Sequence, residues 1–155
     1  MNSINLILDL DGVLITTPIW KKDEMHDDGY SDFNKKCVQN LNFLINKYPI
    51  KIYLSSTRKN VKSLEEFNSI FINRGVIQKI EDFLPNYNFK TRKEEIEQFI
   101  LETNLTNYII IDDDKSTVNL PFSMKEKLII TQFHEGFTEQ KLKETIEIIE
   151  KTKSK

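Results

Sequence analysis

The chain is poor in the residues that usually cross-link or divide small proteins. Its 155 residues include one cysteine, Cys37, which excludes an intrachain disulfide and a zinc site built from several thiolates. Cys37 lies in an apolar pattern with helical spacing, so we expect it to be a core residue rather than a nucleophile. Four glycines and four prolines leave no Gly/Pro-rich linker that would divide the chain.

Long apolar runs and an excess of one charge are also missing. No stretch approaches the roughly 20 apolar residues of a membrane-spanning helix, and no basic-then-apolar signal opens the chain. The 22 basic and 24 acidic residues nearly balance, so no overall field would attract nucleic acid or an anionic membrane. We therefore expect a cytoplasmic protein without a membrane partner and a single domain over residues 1–155, with residues 151–155 as a frayed tail.

Short apolar runs alternate along the chain with segments of helical spacing. The runs cover residues 4–10, 50–54, 76–80, 108–111 and 128–130. Runs of this length, rich in Ile and Leu, are typical of strands covered on both faces, as in a parallel sheet. Helical stripes are predicted within residues 33–48, 61–71, 91–100 and from residue 138 onward. Capping-box patterns occur at residues 63–66 and 91–94. The alternation predicts an α/β fold with helices on both sides of a five-stranded, mostly parallel sheet.

The least regular segment, residues 15–32, directly follows the first predicted strand. It contains Pro18, Trp20 and Gly29 together with the polar stretch 21–28. We expect this segment to hang over the end of the strand as a small flap. Trp20 would either plug the site below or belong to a small core of the flap, and we favour the second role.

Two aspartates, Asp9 and Asp11, end the first apolar run and precede Gly12. Residues two apart in a strand project to the same face, so the two carboxylates would repel each other. Burial would add a desolvation penalty, and a bound cation would relieve both costs. Gly12 allows a sharp backbone turn just after the pair. These aspartates are therefore the first candidates for chemistry.

Polar residues follow other predicted strands as well, at the edge where open α/β sheets bind ligands. The second strand leads into residues 55–58 and the fourth into residues 112–114, while Lys90, Arg92 and Lys93 precede the fourth. Carboxylates hold Mg²⁺, one aspartate can be a nucleophile, and a second carboxyl group can carry a proton. A hydroxyl and a cation can bind the transferring phosphoryl oxygens. This set of groups predicts phosphoryl transfer.

Four pieces of the sequence resemble, in order, the signatures of the haloacid dehalogenase-like (HAD) superfamily. They are Asp9-Leu10-Asp11-Gly12-Val13-Leu14, Ser55, a Lys or Arg before the last acidic motif, and Ile110-Ile111-Asp112-Asp113. Residues 54–58, 92–96, 112–114 and 135–138 are further similar to the small HAD domains described with Swiss Army knife RNA-repair proteins. Such domains often carry an aromatic residue before the arginine of the first of these pieces, where this chain has Thr57.

This resemblance implies a Rossmann-like three-layer sandwich that is essentially capless. Specificity in this superfamily usually comes from cap domains inserted after the first or second strand. Here the first gap holds only the flap, and the second has room only for a helix and a strand. An open site of this kind admits a large phosphorylated substrate such as a nucleic-acid end, whereas a small substrate would need oligomerisation to close the site.

The resemblance also implies a role for each matching residue. Asp9 would be the nucleophile and a Mg²⁺ ligand. Asp11 would be the general acid and base, and its backbone carbonyl would bind the metal. Ser55 would bind the phosphoryl group, while Asp112 and Asp113 would hold Mg²⁺.

The phosphate-binding cation is left open by the sequence. Lys90 precedes the helix and could reach the site from its mouth, Arg92 fits the subfamily pattern better, and Lys93 is the third choice. Two interpretations are open for the wider basic set of Arg58, Lys59, Lys62, Lys90, Arg92 and Lys93. These residues would either form a basic rim at the active edge or be ordinary solvated residues at helix starts, and we favour the second.

The predicted function is that of a Mg²⁺-dependent phosphohydrolase that forms an aspartyl-phosphate. The first alternative is a catalytically silent HAD-like binding module, which loss of the cation would favour. The second is a receiver-like phospho-acceptor domain, but the third predicted strand leads to Asp82-Phe83-Leu84, which offers no obvious acceptor.

Overall fold

Five short strands form one parallel sheet in the structure, a computed structural model that describes residues 2–18, 20–88 and 91–154. The strands are β1 (Ile4–Leu8), β2 (Ile50–Leu54), β3 (Ile80–Phe83), β4 (Tyr108–Asp112) and β5 (Leu128–Ile130). They lie in the order β3-β2-β1-β4-β5, and every pairing is parallel. The prediction of a central parallel sheet is therefore confirmed.

Helices cover both faces of this sheet. One face carries α1 (Lys35–Lys47), α2 (Leu64–Asn73) and α5 (Glu139–Lys153), and the other carries α3 (Arg92–Thr103) and the short α4 (Phe122–Lys125). Alternate residues of β1 divide between the two faces, with Leu6 and Leu8 in the first core and Ile7 in the second. The result is the predicted Rossmann-like three-layer sandwich.

Polar N-caps set where the helices begin. Ser63 forms the predicted capping box with Glu66 at the start of α2, and the Thr91 hydroxyl accepts the backbone N–H of Glu94 at the start of α3. Val61 lies before the capping box and is 66% exposed, so the expectation that the helical stripe includes it is wrong. The Ser63 cap starts α2 at Leu64, three residues later than the predicted stripe.

The third strand lies later in the chain than its apolar pattern predicts. Residues 76–79 are held in a loop, in which Val76 N–H bonds to the Phe71 carbonyl and the Asn42 side chain bonds to the backbone of Gly75 and Ile77. These bonds use backbone groups that a sheet ladder would need. Strand β3 therefore begins only at Ile80.

The first strand also ends earlier than predicted, at Leu8 rather than residue 10. The backbone N–H groups of Val13, Leu14 and Ile15 all bond to the Leu10 carbonyl, which turns the chain immediately after the strand. At the other end of the chain, α5 continues through Lys153, so residues 151–153 of the expected frayed tail are helical. Over the described ranges, none of the helices is both long and apolar enough to cross a membrane.

The flap, residues 15–32, contains only isolated bridges and turns at its described positions. Asp32 N–H bonds to the Glu24 carbonyl and His26 N–H to the Tyr30 carbonyl, which closes residues 24–32 into a tight antiparallel loop. Trp20 is 87% exposed, so neither predicted role for it, as a plug or as a flap core, is correct. Between β2 and α2 lies only the 3₁₀ helix Thr57–Asn60, which agrees with a capless architecture.

Gly136 lets the turn before α5 pack against the loop that follows β1. Its φ is +70°, and an added Cβ would lie 2.5 Å from the Val13 carbonyl oxygen and 2.8 Å from the Cys37 sulfur. The neighbouring Phe137 N–H donates to the same Val13 carbonyl at 2.9 Å. The late segment 135–138 therefore supports the loop that carries Asp11.

We expect Gly136→Ala to destabilise the protein more than Gly75→Ala. Gly75 has a similar φ of +84°, but nothing lies within 4 Å of its added Cβ. The positive φ costs both variants roughly 1 kcal/mol, and the steric overlap at Gly136 adds roughly 1–3 kcal/mol. Urea unfolding of both variants measures the difference, and equal losses would contradict this account of the turn.

Candidate active site

Three neighbouring strands bring polar residues together at the carboxyl edge of the sheet. Asp112 ends β4, while Asp9 and Ser55 follow β1 and β2 and continue their ladders. Asp9 N–H donates to the Ile111 carbonyl at 3.1 Å, and Ser55 N–H donates to the Leu8 carbonyl at 2.9 Å. The chain crosses to opposite sides of β1 on its way to β2 and β4, so this edge is the switch point at which α/β sheets bind ligands.

Asp9, Asp112 and Asp113 form a carboxylate cluster at this edge. Each offers an oxygen, and the three oxygens lie within 4.8 Å of one another. Asp9 and Asp112 are buried, and Asp113 is half-buried. Backbone N–H groups of Leu10 and Asp114 donate to Asp9 and Asp112 at 2.8 and 3.0 Å. Oxygen donors in this arrangement fit a hard divalent cation such as Mg²⁺.

Burial and mutual repulsion raise the pKa of every member of the carboxylate cluster. Loss of solvent is the main reason that the pKa of Asp9 rises from 3.8 to about 6, although Arg92 opposes the rise. The pKa of Asp112 lies well above its usual range because of burial and, next, the charge of Asp9. Burial also raises the pKa of Asp113. A divalent cation would relieve the penalty that burial and repulsion impose on the ionised forms.

Arg92, the first residue of α3, contacts the carboxylate cluster. Its Nη1 lies 2.8 Å from Asp112 Oδ2 and 3.4 Å from Asp9 Oδ1, and its side chain is buried. Lys93 instead has its ammonium 3.6 Å from Glu97 on the same helix. Lys90, the first choice from the sequence, lies outside the described residues. Of the two described candidates, only Arg92 pairs with the cluster.

Ser55 supplies a buried hydroxyl whose position agrees with the sequence prediction. The residue is 1% exposed, and its Oγ has no hydrogen-bond partner within the described part of the chain. An unsatisfied buried hydroxyl costs roughly 1–3 kcal/mol, so most such groups in native proteins are paired. This orphaned group is therefore available to a ligand beside the end of β1.

Gly12 and Thr131 hold the loop after β1 close to the carboxylate cluster. Gly12 has a φ of +78°, and an added Cβ would overlap the carboxylate of Asp113. Thr131 follows β5, and its hydroxyl donates to the Gly12 carbonyl at 2.5 Å. The glycine is thus needed for both its backbone conformation and its lack of a side chain.

Asp11 lies outside the carboxylate cluster, in contrast to the expectation that it shares a face with Asp9. A shared face requires an extended strand backbone from Asp9 to Asp11, but β1 ends at Leu8 and the chain turns. Both carboxylate oxygens of Asp11 accept from Arg58, from Nε at 2.8 Å and from Nη2 at 2.9 Å. The two aspartates therefore occupy different environments.

The basic residues after β2 are not the solvated side chains that the sequence suggested. Arg58 forms an ion pair with Asp11, and Lys59 is buried with its ammonium 3.2 Å from Glu95 Oε2 of α3. Both pairings join residues more than thirty positions apart, which helical periodicity cannot reveal. The sequence indicates a site role for Arg58 only through its position three residues after Ser55, at the same strand end.

The site residues fall within a region that matches a known family. A family model described as "HAD domain in Swiss Army Knife RNA repair proteins" matches residues 5–142. No curated protein matches the chain. The matched region contains the carboxylate cluster, Ser55, Asp11 and Arg92.

We expect Mg²⁺ to stabilise the protein more at pH 7.5 than at pH 5. A ligand at about 100 times its dissociation constant adds roughly 2.7 kcal/mol to the free energy of unfolding. Protons compete with the metal for carboxylates whose pKa values are raised. Without metal, the stability that protonated Asp9 contributes is lost as the pH rises from about 4 through about 6. Thermal unfolding with MgCl₂, or with NaCl at matched ionic strength, measures the difference.

Two variants test whether Mg²⁺ stabilises the protein by binding at the carboxylate cluster or at acidic residues elsewhere on the surface. Asp112→Asn should lose the Mg²⁺-induced shift, whereas Glu147→Gln, at an exposed position of α5, should retain it. A shift of the same size in Asp112→Asn would contradict metal binding at the carboxylate cluster.

Proposed function

The chain belongs to the family of HAD domains in Swiss Army Knife RNA repair proteins, and from this premise we propose that it is a Mg²⁺-dependent phosphohydrolase. The observation that carries the proposal is the carboxylate cluster, with a single buried arginine against it and the orphaned Ser55 hydroxyl at the neighbouring strand end. Three carboxylates and one guanidinium leave two negative charges when all are ionised, which a divalent cation would balance.

We assign the nucleophile to Asp9. Its carboxylate attacks phosphorus, the bond to the ester oxygen breaks, and an aspartyl-phosphate forms. The departing oxygen takes a proton from Asp11. A water molecule then gives a proton to Asp11 and attacks the same phosphorus, which releases phosphate and restores the Asp9 carboxylate.

Binding of the phosphoryl group is assigned to Arg92 and Ser55. The guanidinium lies between the nucleophile and Asp112, where charge on the transferring oxygens must be stabilised. The Ser55 hydroxyl would donate to one of the same oxygens. We prefer Arg92 to Lys90 and Lys93 because its contacts with two members of the carboxylate cluster support the role.

Asp9, Asp112 and Asp113, with the backbone carbonyl of Asp11, are the proposed ligands of Mg²⁺. When bound, the ion would neutralise charge on the phosphoryl oxygens and on the carboxylates. Burial keeps the pKa of Asp9 raised to about 6 despite Arg92, so a bound ion would also favour the ionised nucleophile at neutral pH.

A catalytically silent binding module is the second candidate, and one observation favours it. Asp11, the proposed proton carrier, already has both oxygens engaged by Arg58. The same contact fits an enzyme if Arg58 orients Asp11 rather than blocks it. Activity measurements separate the two candidates.

The proposed substrate is a large phosphorylated molecule, such as a nucleic-acid end. Among the described residues, the short flap is the only insertion between β1 and α1, and none of them forms a cap domain over the site. The family's description as a domain of RNA repair proteins favours a polynucleotide over other large substrates, by analogy.

We expect hydrolysis of p-nitrophenyl phosphate that depends on Mg²⁺ and falls by about 10³-fold or more in Asp9→Asn. The amide lacks the anionic oxygen that attacks phosphorus. Release of p-nitrophenol at pH 7.5 measures the rate, with Glu147→Gln as the matched control that keeps activity. Full activity in Asp9→Asn, or in excess chelator, would overturn the mechanism.

The same assay tests the substrate class. Phosphate release from 3′- and 5′-phosphorylated oligonucleotides should exceed that from nucleotides, sugar phosphates and phosphopeptides, compared as kcat/KM. A higher kcat/KM for a small sugar phosphate would contradict the proposal of a large substrate.

Substitution of the two adjacent serines should affect different properties, the activity for one and the stability for the other. Ser55→Ala should lower kcat/KM by roughly 10-fold without loss of stability, because the hydroxyl has no hydrogen-bond partner among the described residues. Ser56→Ala should destabilise the protein by about 1 kcal/mol, because the Ser56 hydroxyl caps the 3₁₀ helix by accepting Arg58 N–H. Kinetics and urea unfolding of both variants provide the measurements. A stability loss in Ser55→Ala would indicate a structural role for that hydroxyl instead.

A further inference from the structure

Arg58 joins the proposed proton carrier to the flap through one guanidinium group. Besides its two bonds to Asp11, it donates from Nη2 to Asp23 Oδ2 at 3.1 Å and from Nη1 to Ser31 Oγ at 3.2 Å. Nη1 also lies 3.3 Å from the Tyr30 hydroxyl. All three NH-bearing nitrogens of the guanidinium are therefore engaged, two of them with Asp11.

The contact with Asp11 has the geometry that fixes a carboxylate in space. Parallel N–H···O bonds from a planar guanidinium set both the position and the plane of the carboxylate. Each Asp11 oxygen accepts one of these bonds and keeps a further lone pair for another partner. The Asp11 side chain is 31% exposed, so without Arg58 little else would hold it in one rotamer.

We infer that Arg58 is a positioning residue that aims Asp11 for proton transfer and links its orientation to the flap. The inference rests on the proposed function. Arg58 itself would touch neither the phosphoryl group nor the metal, and its effect on the reaction would pass through Asp11. The flap residues Asp23, Tyr30 and Ser31 would in turn set where the guanidinium lies.

Arg74 also binds the flap, but without a contact to Asp11 among the described residues. It donates to Asp28 at 2.6 and 2.8 Å and to the carbonyls of Tyr30 and Ser31 at 3.0 Å. Both arginines also lie near the Tyr30 ring, at 5.5 Å for Arg58 and 5.8 Å for Arg74. No contact joins Arg74 to Asp11 among the described residues. Arg74 is therefore a matched control for the flap without the proton carrier.

The dependence of kcat/KM on the leaving group distinguishes a role in proton transfer from a merely structural role. An ester with a poor leaving group needs a proton on its departing oxygen, whereas a good leaving group departs almost unaided. Phenyl phosphate and p-nitrophenyl phosphate differ in this respect but are similar in size. Their kcat/KM values both report the steps up to departure of the alcohol.

We expect Arg58→Gln to lower kcat/KM for phenyl phosphate by about 10-fold more than for p-nitrophenyl phosphate. Asp11→Asn should show the same bias, and adding Arg58→Gln to Asp11→Asn should change either rate by less than about 2-fold. Arg58→Lys should restore part of the loss, because it keeps the charge and one bond. Arg74→Gln should affect both substrates by a similar factor.

The outcomes separate the inference from the function on which it rests. Equal losses on both substrates in Arg58→Gln, or a full further loss in the Asp11→Asn background, would make Arg58 a flap anchor only and overturn the inference. Circular dichroism checks folding, and Arg58→Lys replaces Arg58→Gln in the comparison if the latter unfolds. A wild-type protein inactive on both esters with Mg²⁺ would overturn the proposed function, and the inference with it.

Discussion

The burial of like charge at one edge of the sheet is the constraint on which the site depends. Asp9 and Asp112 are almost fully buried, and Arg92 is the described cation that pairs with both of them. Other features near this edge make that burial tolerable: backbone donors at Leu10 and Asp114, and a glycine that leaves room for Asp113. Apolar residues of similar volume would cost less to bury than such a cluster, so its presence points to binding or chemistry.

Features encoded locally were predictable from the sequence. The parallel sheet follows from short Ile/Leu-rich runs, and the carboxylates and Ser55 follow from their positions at strand ends. Features that depend on side chains from distant segments were not. Strand β3 is displaced because Asn42 captures backbone groups of Gly75 and Ile77, and the partners of Arg58 and Lys59 are set by tertiary folding. The choice between Arg92 and Lys93 likewise depended on geometry, since both occupy the first turn of α3.

The early end of β1 explains why two aspartates in one motif differ so strongly. Had the strand continued, both carboxylates would have faced the same side and repelled each other. The turn around the Leu10 carbonyl instead leaves Asp9 in the carboxylate cluster and brings Asp11 to Arg58. Gly12, Thr131 and the segment around Gly136 all support this turn, which links the late part of the chain to the first motif. The local backbone thus creates two chemical environments from one short sequence.

The carboxyl end of β2 serves both environments. Ser55 places beside the carboxylate cluster a hydroxyl that has no partner in the described part of the chain. Arg58, one turn later, binds both Asp11 and the flap. A shift in this strand end would therefore disturb the proposed phosphoryl binding and the proposed proton transfer together. Lys59 opposes such a shift, because its buried ammonium ties the 3₁₀ helix to Glu95 on the helix that carries Arg92. The flap is thereby attached to the rigid frame of the site at Asp11, the proposed proton carrier. No domain formed by the described residues covers the proposed phosphoryl-binding edge.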